Sequence, residues 1–215
     1  MSEIAASTAL VLAAERLFAQ HGLNGVSLRQ INAAAGQRNA SAAHYHFGSR
    51  DGVVRAVFEY RMTGVNQRRL DHLAQLDRAG KLADARALIG AWVLPLAGEL
   101  APRPEGNHYI RFLQQVMRTW PGAAPELVND LTLGWRQAAR HLRQLIGHLP
   151  PALVNLRLDM ATQHSIAALA QAEQRLAQGL ELPGAQALYV ENLIDVLVAG
   201  LHAPVSAQAV AALSN

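Results

Sequence analysis

The chain has 215 residues, 51% hydrophobic and 16% charged, so it has apolar material for a sizeable core and too little charge for global disorder. It contains no cysteine, which excludes disulfides and thiolate metal sites. The net charge of +3 is carried by the first third: residues 1–80 hold nine arginines against six acids, and the remainder is balanced.

The N-terminal stretch MSEIAASTALVL carries Glu3 and lacks a basic n-region, so it does not read as a signal peptide. The longest uncharged apolar stretch, Ala87 to Gly98, is 12 residues long and contains Pro95, too short to span a bilayer. A cytoplasmic protein with no membrane partner is the expectation. Leu10, Val11, Ala14, Leu17 and Phe18 follow the stripe of an amphipathic helix, and Gly22 stops it. Ser27 is placed to cap a second helix, SLRQINAAA, which ends at Gly36. Asn39 is placed to cap a third, ASAAHYHF, only two turns long and ending at Gly48. Ser49 caps a fourth, with Asp51 in its first turn, and nothing interrupts it before Leu76. Further helical segments are expected over 84–101, 107–120, 125–149, 152–179 and 185–201, separated by prolines. The fold class expected is all-α: a three-helix unit joined by a long helix to a larger helical lobe.

Residues 36–51 read GQRNASAAHYHFGSRD, an aromatic and histidine cluster in a chain with only 5% aromatic residues. His44 and His46 are two apart, which on a helix turns them about 200° away from each other, so they do not share a metal ion. No acid lies between Glu15 and Asp51 to complete a metal or acid–base site. A Ser41, His44, Asp51 arrangement lacks a glycine-flanked nucleophile elbow. No metal, no cofactor and no enzymatic activity is therefore expected. A packed segment explains Ile31, Ala34, Ala43 and Phe47 as inner-face residues, but leaves the polar Gln37, Arg38, Asn39, Ser41 and His44 unaccounted for. A short helix that begins with small polar residues suits the base edges of a major groove, and His and Tyr at its end suit backbone oxygens. This is the pattern of a helix-turn-helix.

The segment LVLAAERLFAQHGLNGVSLRQINAAAGQRNASAAHYHFGSRDGVVRAVFEY, within residues 9–60, resembles the DNA-binding domain of the TetR family of regulators. The resemblance rests on the AAERLFAQHG helix, the SLRQI second helix, the AG turn and the YHFGSR end. It implies a homodimer that binds double-stranded DNA through residues 1–48, with residues 49–215 dimerising and holding a small-molecule effector. Carried onto this chain, Ser27 and Arg29 meet the DNA backbone, Arg38 lies in the turn, Asn39 caps the recognition helix, and Ala40, Ser41 and Ala42 read bases. His44, Tyr45 and His46 clamp a phosphate, with Ser49 and Arg50 at the start of the fourth helix. One departure stands out: Gln37 to Phe47 makes eleven residues where the family usually has ten, so Gln37-Arg38 replaces a single turn residue.

In the larger lobe, Trp92, Tyr109, Phe112, Met117, Trp120 and Trp135 are candidate walls of an apolar effector cavity, set against the plainer reading that each is core. Leu188, Leu193, Ile194, Leu197, Val198 and Leu201 form an apolar face suited to a four-helix dimer interface or, alternatively, to closing the core of the protomer. The function expected is a ligand-relieved repressor of a pseudo-palindromic operator. Its rival is an all-helical small-molecule-binding protein or enzyme with a non-functional DNA-binding domain.

Overall fold

The computed structural model describes residues 3–39, 41–119 and 130–213, so Ala40 and Trp120 lie outside the described residues. Among the described residues every regular element is helical. They are α1 (Glu3–His21), α2 (Leu28–Ala34), α3 (Ala42–Phe47), α4 (Arg50–Arg78), α5 (Ala85–Ala97), α6 (Tyr109–Thr119), α7 (Leu133–Leu145), α8 (Pro151–Ala177), α9 (Gln186–His202) and α10 (Ala207–Ala212), with a single 3-10 turn over Gly98–Leu100 after α5.

Local chemistry sets most of these boundaries. Ser27 and Gln30 form a reciprocal capping box at the start of α2, Ser49 Oγ accepts the N–H of Gly52 in α4, and Asp84 accepts that of Ala87 in α5. At the end of α2, Gly36 takes φ +64°, its N–H reaches the Ala33 carbonyl, and the N–H of Gln37 reaches that of Asn32. That pair of bonds is a Schellman closure, which needs the left-handed conformation glycine adopts without a Cβ clash. The start of α3 differs from expectation. The helix begins at Ala42, and Asn39 Oδ1 instead accepts the N–H of Ser41 (2.9 Å), closing an Asx turn before the helix rather than capping it. The helix expected from residue 125 begins at Leu133, because Asp130 to Thr132 form a bend and turn; residues 120–129 lie outside the description.

Three helices pack around α1: α2 and α3 from one side and α6 from another, while α4 crosses α1 and runs on to meet α5 and α7. α8 and α9 pack together, α8 on α6 and α9 on α5. One hydrophobic cluster runs through all of this, from Leu10 in α1 to Leu201 in α9. Most of the charged side chains buried within it are paired. Arg61 of α4 donates from Nε and Nη2 to the two carboxylate oxygens of Glu15 in α1 (2.6 and 3.1 Å), tying the first helix to the long one. Glu173 of α8 accepts the N–H groups of Ile110 and Arg111 (2.9 and 3.0 Å), supplying from a distant helix the cap that α6 lacks in its own sequence. Burial pushes both the Glu15 and Glu173 carboxyls above the ordinary glutamate value, against the lowering pull of Arg61 on the first and of the α6 N–H groups and Arg111 on the second. No helix among the described residues is long and apolar enough to cross a membrane.

Candidate DNA-binding face

α2 and α3 meet across a turn whose rigidity comes from one buried polar side chain. Asn32 is 2% exposed, and its Oδ1 accepts the N–H of Ala43 (2.8 Å), satisfying a first-turn donor of α3 from the middle of α2. It takes the inner position expected of Ala34, which is exposed instead. Ile31, Ala42 and Ala43 fill the space beneath the turn, and Phe47 packs against the same core. The far end of α3 is fixed by Gly48 at φ +72° and by Gly52, where an added Cβ would come within 1.9 Å of the Phe47 carbonyl oxygen. Only glycine lets the start of α4 approach α3 this closely.

With one side of α3 committed to the core, the other is presented to solvent. Ser41, His44 and Tyr45 are exposed, Tyr45 at 75%, and His46 is half-buried. The His46 ring sits edge-on to Tyr45 (centroids 5.3 Å) and tilted against Phe47 (5.9 Å), so it bridges the exposed tyrosine to the core. Ser27, Arg29, Arg38, Asn39 and Ser49 are exposed and Arg50 is half-buried. A shallow groove between the starts of α2 and α4 is lined by Ser27, Gln30, Ser49, Arg50 and Asp51. Of the residues expected to read bases, Ala40 lies outside the described residues, Ser41 is exposed, and Ala42 is 7% exposed and packs inward, where a side chain does not reach a base edge.

The residues of the effector and dimer expectations fall in different settings. Phe112 is fully buried between Phe18 and Tyr109, Trp92 and Trp135 pack edge to face (5.6 Å), and Met117 stands apart from them, half exposed at the surface. Two grooves lie elsewhere in this lobe. One, between α4, α5 and α9, is lined by residues including Leu76, Arg86, Gly90, Leu94 and Ile194; another lies between α8 and α9. Neither is lined by any of the five described residues. Leu193, Ile194, Leu197 and Leu201 are at most 5% exposed because α9 turns that face onto α5 and α8, closing the core of the protomer. Val198 is half-buried, and Leu188 alone of the six is exposed. The outward large apolar side chains of these two helices are Leu156, Met160 and Leu176 of α8 and Leu188 and Val196 of α9. Among the described residues, no three of histidine, aspartate and glutamate come together in a way that holds a metal ion.

This geometry has counterparts. Residues 10–57 match the family model of bacterial regulatory proteins, tetR family. The chain carries a TetR-family N-terminal domain. Its overall fold is also that of TetR-family regulators. It is similar to a mutant of the HlyIIR protein (13% identity, 95% of this chain and 99% of that one, TM-score 0.58). It is likewise similar to a protein of Shewanella sp. PV-4 assigned to the tetR family of transcription regulators (17% identity, 92% and 96% covered, TM-score 0.57). At such identities the likeness is one of fold. No curated protein matches the sequence.

Proposed function

We propose that the protein is a cytoplasmic, homodimeric repressor that binds a pseudo-palindromic operator and releases it when a small molecule binds. Residues 1–48 form the DNA-reading unit, and residues 49–215 carry the effector site and the dimer contact. The observation that carries this reading is the two-faced α3. Its Ala42 and Ala43 are buried, with the Ala43 N–H held by Asn32, while Ser41 just before it and its His44 and Tyr45 are exposed, as are Arg29 and Arg38. Such a helix enters a major groove with small residues first and leaves its larger donors near the phosphates. The dimer contact is the exposed strip of Leu156, Met160 and Val196, continued by the small Ala167, Ala199 and Gly200 that let a second copy approach closely.

The reading is tested by selecting duplexes from a random pool with the full-length protein and measuring affinity for the winners across salt. An enriched inverted repeat, with affinity falling steeply as salt rises, is expected. Tyr45→Ala then weakens selected and random DNA alike, because it removes a contact to the backbone, whereas Ser41→Ala weakens the selected sequence more. Failure of any sequence to enrich sinks the operator reading.

A further inference from the structure

Every buried carboxylate of the core has its arginine: Glu15 has Arg61, Glu99 has Arg68 and Arg103, and Glu173 has Arg111. One buried arginine has no carboxylate. Arg69 of α4 is 4% exposed, and among the described residues no acid lies within ion-pair distance of it. Its Nε donates to the Trp92 carbonyl of α5 (3.1 Å) and its Nη1 faces the Met62 sulfur at 3.8 Å, both neutral partners. Burial pulls its guanidinium down to about 10, so it remains a cation at neutral pH. An isolated charge in an interior is the costliest group to keep there, and an arginine cannot shed its proton to avoid the cost.

The neighbours of Arg69 add donors and no compensating charge. Tyr109 of α6, 2% exposed, interacts electrostatically with Arg69, and its hydroxyl has no hydrogen-bond partner among the described residues. Burial raises its ionisation above the ordinary tyrosine value, so it stays a donor. Gly134 of α7 lies against the Cβ of Arg69, and the next residue, Trp135, has a buried indole N–H that is likewise unpartnered and a ring packed on Trp92. A cation and two neutral donors, set among three aromatic side chains beside the mutually packed α4, α5 and α7, ask for one chemistry: an acceptor that carries a negative charge on an apolar body.

We propose that the effector is a small carboxylate with an aromatic or aliphatic body, paired to the Arg69 guanidinium and hydrogen-bonded by Tyr109 and Trp135. This deepens the ligand-relieved reading above and rests on it. Arg69 sits on the same helix that α3 packs against, so a ligand seated there bears directly on the element that positions the DNA-binding face. The residue is kept for the ligand at the expense of the unliganded fold.

The test uses the full-length protein and a panel of benzoate, phenylacetate, salicylate and octanoate against benzamide and benzyl alcohol, read by Tm and by fluorescence of the tryptophans. At least one acid is expected to raise Tm and titrate the fluorescence, with its neutral counterpart at least tenfold weaker. Arg69→Met, which fills the same volume without the charge, is expected to melt no lower than the parent and to lose tenfold or more in affinity for that acid. Tyr109→Phe, which removes only the hydroxyl, is expected to lose several-fold. Silence across the panel, equal binding of acid and amide, or unchanged binding in Tyr109→Phe overturns the proposal. Gel shifts on selected DNA separate the two levels. DNA binding unaffected by a bound acid removes the effector role and leaves the regulator standing, whereas failure of the ligand-free protein to bind DNA removes the regulator while the binding data still decide the anion site.

Discussion

Asn32 and His108 show how single side chains set the local terms of this fold. Asn32 satisfies the Ala43 N–H from within a core of aliphatic neighbours. Asn32→Ala leaves that donor buried and unpaired, at a cost of about 1–3 kcal/mol. The expected result is a lower denaturation midpoint and weaker binding to selected DNA, since the lost bond is the one that fixes α3; an unchanged DNA affinity contradicts this. His108 is a different case. Its Nδ1 faces Arg111 Nη2 at 2.9 Å, and a guanidinium only donates, so Nδ1 accepts and the proton sits on Nε2. Burial first, and then Arg111, Arg16 and Arg61, push its pKa down to about 4 from an ordinary 6.5. Below 6.5 the unfolded chain takes up a proton that the folded chain refuses, so stability is lost as pH falls from about 6.5 towards 4. His108→Gln keeps an acceptor and has nothing to titrate. Its Tm is expected to drop less than that of the parent between pH 7 and pH 5, while the raised Glu15 and Glu173 act equally in both proteins.

At the scale of elements, the close approaches are made by glycines that the chain pattern alone does not single out. An added Cβ at Gly134 would lie 2.6 Å from the Cβ of Arg69 and 3.3 Å from the Asn66 carbonyl oxygen, so α7 touches α4 backbone to backbone there. Neither neighbour is the free end of a side chain. Gly134→Ala therefore has to push the helices apart, with overpacking of about 1–3 kcal/mol. The check is a urea unfolding curve, and a midpoint equal to that of the parent would show that α7 gives way. Helix starts were legible where the signal is local: Ser27 and Ser49 cap as their chemistry dictates. The start of α6 was legible only approximately, because its cap comes from Glu173, 63 positions away from Ile110. Asn39 misled for a related reason. Its side chain has two local donors to choose between, and it closes the turn rather than the helix.

For the whole molecule, periodicity identified that α9 is amphipathic but not which of its faces meets solvent. A leucine-rich stripe is equally suited to its own protomer and to a second copy, and only the placement of α5 and α8 resolves the choice. The same ambiguity covers Trp92 and Phe112, whose burial suits a packed interior and the wall of a closed cavity alike. Helix-turn-helix residues escaped it because their order along 48 residues is itself informative. Among the apolar side chains the protomer leaves uncovered are Leu156, Met160 and Val196, at 52%, 60% and 44% exposed, and the last two line a groove that also takes in His164 and Gly200. We place the proposed dimer contact here. Met160→Arg puts a charge at its centre without touching the core of the protomer, and an exposed substitution of this kind shifts protomer stability by no more than about 0.5 kcal/mol. Buried against a second copy, the same charge is unpaired and excluded from water. Sedimentation should therefore find Met160→Arg as a monomer with an unaltered helical circular dichroism spectrum. Its affinity for a full inverted repeat should fall towards that for an isolated half-site, because two recognition helices no longer arrive as one body. A variant that still sediments as a dimer and binds the repeat at parental strength would move the interface away from α8 and α9.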